Sequence, residues 1–211
     1  DIYARPASDG LRLARDAIEK ALVIDPNFAL ALARLGLIAS WDEHDLVAGA
    51  KHIERALALQ PANPDILVTA AWLARRLGRP DQAIEIGEFL LIRDPVNVFG
   101  GYELATSYYY AGRLDEAIAT YRNDIRLFPT VTGDHEMIGE VLLIKGDARA
   151  ALEEFKLEPS EPLRLTGLSM AYHALGQRAE SDAALAELVE KYEKTMAWNI
   201  ALVLAFRNEA D

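Results

Sequence analysis

The sequence predicts an all-α protein, an α-solenoid built from stacked antiparallel helix pairs. Three series of regularly spaced residues predict this fold, because internal periods of about 20 to 50 residues are typical of repeat arrays. Glycines recur 34, 34 and 30 residues apart, at Gly78, Gly112, Gly146 and Gly176. Prolines recur 35, 34 and 34 residues apart, at Pro26, Pro61, Pro95 and Pro129.

The third series consists of pairs of small residues, one on each helix of a repeat. Two antiparallel helices that cross closely need small side chains at the crossing, since larger ones would hold the backbones apart. The two members of each pair lie twelve or thirteen positions apart. The pairs are Gly36 with Gly49, Ala71 with Ala83, Ala105 with Ala117, Gly139 with Ala151, and Ser169 with Ser181.

These periods assign the elements in chain order within a single array over residues 1–211. Apolar residues at i, i+3 or i+4 and i+7 predict each helix, and the glycines and prolines mark the helix ends. The assignment is an entering second helix at 8–26, five helix pairs at 27–61, 62–95, 96–129, 130–160 and 161–193, and an unpaired last helix at 195–208.

Two repeats depart from the pattern. Trp41-Asp42-Glu43-His44 replaces the turn glycine of the first full repeat and adds one residue. In the fourth repeat Phe155 is followed at once by Pro159 and Pro162, so four residues, about one helical turn, are missing. We expect a local bend or an irregular loop near residues 156–162.

The composition excludes several classes of function. Twenty-two basic and thirty-three acidic residues give a net charge of −11, which disfavours nucleic-acid and anionic-membrane partners. Cysteine is absent, which excludes disulfides, thiol nucleophiles and cysteine-ligated metals. The apolar stretches are too short to span a bilayer. A cysteine-free acidic array best fits the cytoplasm, and a sequence that starts at Asp1 is interpreted as a fragment.

No pattern of catalytic or metal-binding residues is present. The four histidines are scattered over three repeats, and no H-E-x-x-H motif occurs. The stretch from Phe99 to Tyr102 contains two glycines but lacks the spacing of a nucleotide-binding loop, and no nucleophile elbow is found. We therefore expect no catalytic, cofactor-binding or metal-binding residues, no cofactor and no enzyme activity.

The segment AGRLDEAIATYRNDIRLFP, residues 111–129, carries a recognisable set of positions: Gly112, Ala117, Tyr121 and Pro129. In this set and in its recurrence along nearly the whole chain, the sequence resembles the tetratricopeptide repeat (TPR) family. The resemblance implies a right-handed superhelix in which the first helix of each pair lines a concave groove. It also implies a protein–protein interaction scaffold that binds a peptide or a partner domain.

Projecting the family's register onto this sequence gives the side chains that are expected in the groove. Aromatic residues and arginines are the types that carry most binding energy at interfaces; alternatively, the aromatic side chains fill gaps between helices. The positions at which some TPR modules clamp a partner's terminal carboxylate lack the required Lys and Asn, so a C-terminal chaperone tail is not expected. The groove set is Arg34, Trp72, Arg75, Arg76, Tyr102, Thr106, Tyr109, Glu136 and Glu140, with Trp41, Tyr110, Met170 and His173 beside them.

The last helix suggests self-association. The segment MAWNIALVLAFRNEAD places Trp198, Leu202 and Phe206 in a helix that is apolar on most sides, and such a helix is normally buried on most sides. We expect a homodimer through this helix, and RNEAD is interpreted as a turn before a further helix.

An alternative function follows from a second resemblance. This helix and ALVIDPNFALALARLG resemble TPR tails of bacterial cyclase-type and winged-helix transcription-regulator-type signalling proteins. That resemblance implies a regulatory or dimerisation segment of a larger protein. A structural spacer with an empty groove is the third interpretation.

Overall fold

Twelve α-helices and no strands make up the residues that the computed structural model describes, 7–41 and 44–209. The predicted all-α helical-repeat class is confirmed. The helices are α1 (Ala7–Ile24), α2 (Ala29–Trp41), α3 (Leu46–Leu59), α4 (Pro64–Arg76), α5 (Pro80–Arg93), α6 (Gly100–Tyr110), α7 (Leu114–Leu127), α8 (Asp134–Ile144), α9 (Ala148–Leu157), α10 (Glu161–Ala174), α11 (Arg178–Tyr192) and α12 (Ala197–Phe206).

The chain divides into two compact units, Asp1–Gly112 with α1 to α6 and Arg113–Asp211 with α7 to α12. Within each unit every helix packs against the next one in the chain. In the N-terminal unit α4 also packs against both α2 and α6, and in the C-terminal unit α10 packs against both α8 and α12. The first helices of successive pairs therefore form one row in each unit.

The recurring glycines end helices. Gly78 follows α4 in the left-handed region with φ of 72°, where a side chain would be strained. The Arg79 N–H then donates to the Ala74 carbonyl oxygen at 2.9 Å, which satisfies one of the last carbonyls of the helix. Asn208 takes the same position after α12 with φ of 56°, so the chain uses the same helix end there without glycine. The sequence predicts a turn without glycine after α2. Asp42 and Glu43 of this turn lie outside the described residues, while His44 has φ of 55°.

Each recurring proline stands two residues beyond a helix end. Pro26, Pro61, Pro95 and Pro129 follow α1, α3, α5 and α7 in this way. Proline has no N–H to donate to the preceding turn, so it stops the helix and sets the start of the next repeat.

Small residues allow close helix crossings. A Cβ atom on Gly36 would lie 2.9 Å from the Gly49 carbonyl oxygen, so α2 and α3 can approach only because both positions are glycine. At the crossing of α10 and α11 the Ser181 hydroxyl donates to the Ser169 carbonyl oxygen at 2.8 Å, and the Ser169 hydroxyl donates back to Ser181 at 3.1 Å. The predicted close approach is confirmed at these two pairs.

The fourth repeat has a shortened second helix. α9 has 10 residues, whereas α3, α5 and α7 have 14 each. The loop that follows is held by Glu158, whose buried carboxylate accepts hydrogen bonds from the N–H groups of Gly133 at 3.0 Å, Glu136 at 3.3 Å and Ser160 at 3.0 Å. One side chain therefore caps the start of α8 and fixes the irregular loop expected here.

Candidate partner-binding site

Two tryptophans connect α2 and α4, the first two helices in the row of first helices of the N-terminal unit. Trp41 ends α2 and Trp72 lies in the last two turns of α4, and their rings stack with centroids 5.6 Å apart and planes 16° from parallel. Trp72 is almost buried, whereas Trp41 is 63% exposed. The outer ring therefore presents a flat apolar face to solvent, supported from behind by the inner ring.

Arg75 joins α4 to the third helix of the row. Its guanidinium donates to Glu103 of α6 at 2.8 Å and lies 5.1 Å from the centre of the Tyr110 ring. The pair is mostly shielded from solvent, with 10% and 15% of the two side chains exposed. A desolvated ion pair of this kind fixes geometry more than it stabilises the fold. Arg75 is thus held in one orientation, and its Nε has no acceptor among the described residues.

Among the described residues, Arg76 differs from its neighbour because it has no counter-ion. Its guanidinium lies 5.6 Å from the centre of the Trp72 ring, and within residues 7–41 and 44–209 it forms no ion pair. Leu46, Arg75, Arg76 and Tyr110 line a cleft of about 280 Å³ that we call the arginine cleft. An exposed aromatic face thus lies beside a cleft in which Arg76 has no carboxylate partner among the described residues.

The structure gives the remaining predicted groove residues different surroundings. Arg34 is exposed but lines another cavity, with Phe28 and Leu30. Thr106 is almost buried and its hydroxyl donates to the Tyr102 carbonyl oxygen at 2.8 Å, so it offers little surface to a partner. Tyr109 packs edge-on against Tyr110, with ring centroids 5.3 Å apart.

Sequence reasoning missed Glu103 and Leu46. Glu103 is the only charged residue of GGYELATSYYY, and that isolation was the available signal. Leu46 starts a second helix, which the register of the first helices did not consider.

Glu136 and Glu140 lie on α8 in the C-terminal unit and are half-buried. Burial, the charge of Glu140 and the charge of Glu158 raise the pKa of Glu136 to about 8. Burial also raises the pKa of Glu140. At neutral pH Glu136 is therefore largely protonated and acts as a hydrogen-bond donor as well as an acceptor.

Two further carboxyls are buried beside them. Asp124 of α7 and Asp134 of α8 are 2% and 1% exposed, and three of their four carboxyl oxygens have no hydrogen-bond partner among the described residues. Burial and the neighbouring charges of Asp124 and Glu158 raise the pKa of Asp134 to about 7. Burial raises the pKa of Asp124 as well. A proton held between the two carboxyls would relieve their repulsion.

The last helix is attached along one side. Arg207, which follows α12, is buried and its guanidinium donates to the Ser181 hydroxyl at 3.2 Å and to Asp182. Leu202 packs onto the core cluster of α10 and α11. Trp198 is 79% exposed, and Phe206 meets the His173 ring edge-on at 6.1 Å. The three residues expected to self-associate are therefore not equivalent, because Leu202 packs on the core and Phe206 contacts His173, whereas Trp198 is the most exposed of the three.

No helix in the described part of the chain is long and apolar enough to cross a membrane. Among these residues no three histidine, aspartate or glutamate side chains converge on a point where a metal ion would fit.

Comparisons with known proteins give the same fold. A family model for the tetratricopeptide repeat matches residues 101–130 and 165–195. The cytochrome c-type biogenesis protein CycH of Rhizobium meliloti (strain 1021) is 30% identical over an alignment of 142 residues that covers 62% of this chain. The chain spans 37% of the length of that relative.

Two solved structures are also similar. The thermophilic TPR protein TTC0263 of Thermus thermophilus has a TM-score of 0.70 at 23% identity, over 84% of this chain and 99% of that one. PilW, a widely conserved type IV pilus biogenesis factor, has a TM-score of 0.77 at 20% identity, over 93% of this chain and 92% of that one. Its helix pairs, turn glycines and small-residue crossings thus have the fold of tetratricopeptide repeat proteins, and residues 101–130 and 165–195 match the model of that repeat.

Proposed function

We propose that this chain is a non-catalytic scaffold that binds a peptide or a partner domain through the row of first helices in its N-terminal unit. TPR proteins generally mediate protein–protein interactions, and the family is typically non-catalytic. The observation that carries the proposal is the exposed Trp41 face beside Arg76, which forms no ion pair with any described residue. Both are residue types that dominate binding energy when a partner buries them.

The arrangement favours binding because much of it is already ordered. Trp41 rests on Trp72, and Arg75 is fixed by Glu103 and Tyr110. A partner therefore loses little side-chain entropy from this surface when it binds, which improves affinity for a given contact area.

Selection from a displayed library of random peptides tests this function. The wild type and the double variant Trp41→Ala/Arg76→Ala are used as parallel targets, with Arg149→Ala as a variant of an exposed arginine in the other unit. We expect peptides that bind the wild type and Arg149→Ala but not the double variant. Failure to enrich any peptide, or equal binding to all three proteins, would contradict the proposal.

A second candidate function is dimerisation through α12, as in a regulatory segment of a larger bacterial signalling protein of the cyclase or transcription-regulator type. The supporting observation is the exposed indole of Trp198 on a helix with almost no polar residues. Light scattering on the wild type and on a variant of this face tests it.

We propose that the scaffold lies in the cytoplasm, because its composition is acidic and free of cysteine. Cell fractionation of the tagged protein tests this localisation.

A further inference from the structure

We propose that the arginine cleft binds the acidic side chain of an internal glutamate or aspartate of a partner peptide, while an aromatic residue of the same peptide stacks on Trp41. This inference rests on the proposed function and assigns the partner its chemistry.

The charges in the arginine cleft favour an acidic ligand. The chain carries a net charge of −11, yet Arg76 has no carboxylate partner in the described residues and lines a cleft whose second cation is Arg75. Among those residues, the only carboxylate paired with Arg75 is Glu103, at 2.8 Å. Among the described residues the cleft therefore has two guanidinium groups and one paired carboxylate, and one further carboxylate would balance their charge.

Neighbouring side chains already orient the guanidinium groups of the cleft. Glu103 and the Tyr110 ring hold Arg75, while the Trp72 ring lies under Arg76. A planar guanidinium that is already oriented matches a carboxylate with two parallel hydrogen bonds. Leu46 forms the apolar side of the cleft, and an apolar wall strengthens such a pair by lowering the local dielectric.

The exposed face of Trp41 lies beside the arginine cleft. Trp41 is 63% exposed and stacks on the same Trp72 ring that lies under Arg76. An aromatic residue next to the peptide's acid can therefore stack on Trp41 while the acid enters the cleft. Aromatic pairs of this type add affinity beyond the area that they bury.

The surroundings favour an acid within the peptide rather than at its end. Helix α2 with Trp41 lies on one side of α4, and α6 with Tyr110 lies on the other. A chain that passes across α4 contacts both sides, whereas a chain that ends in the cleft contacts only one.

Fluorescence anisotropy with four labelled peptides tests this assignment. The probe is acetyl-Gly-Ser-Glu-Trp-Glu-Ser-Gly-amide, and three related peptides replace both glutamates by glutamine, replace the tryptophan by alanine, or move a single carboxylate to a free C-terminus. We expect the wild type to bind the glutamate probe about tenfold more tightly than the glutamine peptide, as one charge-assisted pair allows. Arg76→Gln should remove this preference, Trp41→Ala should remove the preference for tryptophan, and Arg149→Gln should change neither.

Several results would overturn the assignment. Equal binding of the glutamate and glutamine peptides would do so, as would an unchanged preference in Arg76→Gln, tightest binding by the peptide with the free C-terminus, or no binding of the probe up to about 1 mM. If neutral or basic peptides selected on the wild type still need Trp41 and Arg76, the scaffold function stands and only the acidic partner is wrong. Circular dichroism confirms that each variant remains helical.

Discussion

At Gly167 a missing side chain leaves the space that an aromatic ring fills. A Cβ atom on Gly167 would lie 1.9 Å from Cδ1 of Phe155, and one on Gly139 would lie 2.4 Å from Cε1 of the same ring. Phe155 is completely buried between the two helices that carry these glycines. The ring is thus central to the packing of the fourth repeat.

We predict that Gly167→Ala destabilises the protein by about 1–3 kcal/mol, the usual range for an overpacked core. Urea unfolding followed by circular dichroism measures this difference. The matched control is Gly10→Ala in α1, where a Cβ would meet nothing within 4 Å. The control should be neutral or stabilised by about 0.5–1 kcal/mol through its helix propensity. Equal stability of Gly167→Ala and the wild type would show that the ring can move aside.

A second prediction concerns Asp134, whose pKa burial and the nearby carboxyls raise to about 7. Between about pH 4 and pH 7 the folded chain keeps a proton on this carboxyl that the unfolded chain releases. The free energy of unfolding therefore falls as the pH rises through this window, by at most about 1.4 kcal/mol per pH unit for one site.

We expect Asp134→Asn to flatten that fall, because an amide stays uncharged and can donate to Asp124. Urea unfolding from pH 4.5 to pH 8 measures the slope, with Asp81→Asn at an exposed position as the control. The account is wrong if the slope of Asp134→Asn matches that of the wild type.

At the scale of elements, the loop after α9 depends on Glu158. Its carboxylate accepts three backbone hydrogen bonds, two of them at the start of α8. We predict that Glu158→Ala lowers the free energy of unfolding by about 2–4 kcal/mol, since it leaves buried N–H groups without acceptors. Hydrogen exchange should quicken in the first turn of α8, and Glu158→Gln, which keeps one acceptor oxygen, should have a smaller effect. Unchanged exchange in Glu158→Ala would argue that the cap is dispensable.

The free face of α12 carries the next prediction. Trp198 and Ala201 are exposed and one helical turn apart, while Leu202 is packed on the core. We therefore place the charges at Trp198→Glu and Ala201→Glu, which leave the core intact. If α12 is an assembly surface, multi-angle light scattering shows a concentration-dependent dimer for the wild type and a monomer for the double variant. A wild-type monomer at every concentration would remove the dimer proposal.

The positions of most elements follow from the sequence, but the details at their ends do not. Prolines and glycines are visible signals because their backbone limits act locally, and Pro61 or Gly78 can be interpreted without knowing what lies nearby. Glu158 gives no such signal, since its role depends on N–H groups that lie 22 and 25 residues away in the chain. The burial of Asp134 and Glu136 likewise depends on residues that are distant in the sequence, and helix register alone does not describe them.

At the binding surface, too, local sequence signals were predicted and contacts between distant residues were not. The helical register gave Trp72, Arg75 and Arg76 as neighbours on one face of α4, since i, i+3 and i+4 positions share a side of a helix. It did not distinguish the two arginines. Only the position of Glu103 on another helix shows that Arg75 is paired, whereas no described carboxylate pairs with Arg76.

For the whole molecule, the local charge contrasts with the net charge. A chain of −11 repels acidic partners at long range, so an acidic peptide should bind the arginine cleft against the general field. Added salt screens both the repulsion from the net charge and the attraction between the peptide's acid and the arginine cleft, but it screens a partly buried ion pair less. We predict that the affinity for an acidic peptide changes little between about 50 and 200 mM salt, in contrast to the steep loss that a simple basic patch would show. Anisotropy titrations at the two salt concentrations measure this, and a tenfold loss of affinity would contradict it.

The most direct test of the scaffold function is calorimetric titration of the best peptide selected on the wild type. It is titrated into the wild type, Trp41→Ala/Arg76→Ala and Arg149→Ala. The account predicts saturable binding to the wild type and to Arg149→Ala, and at least about a tenfold loss in the double variant, because residues of these two types carry most of the energy of an interface. Equal affinity for all three proteins would contradict the account, because the partner would then bind elsewhere.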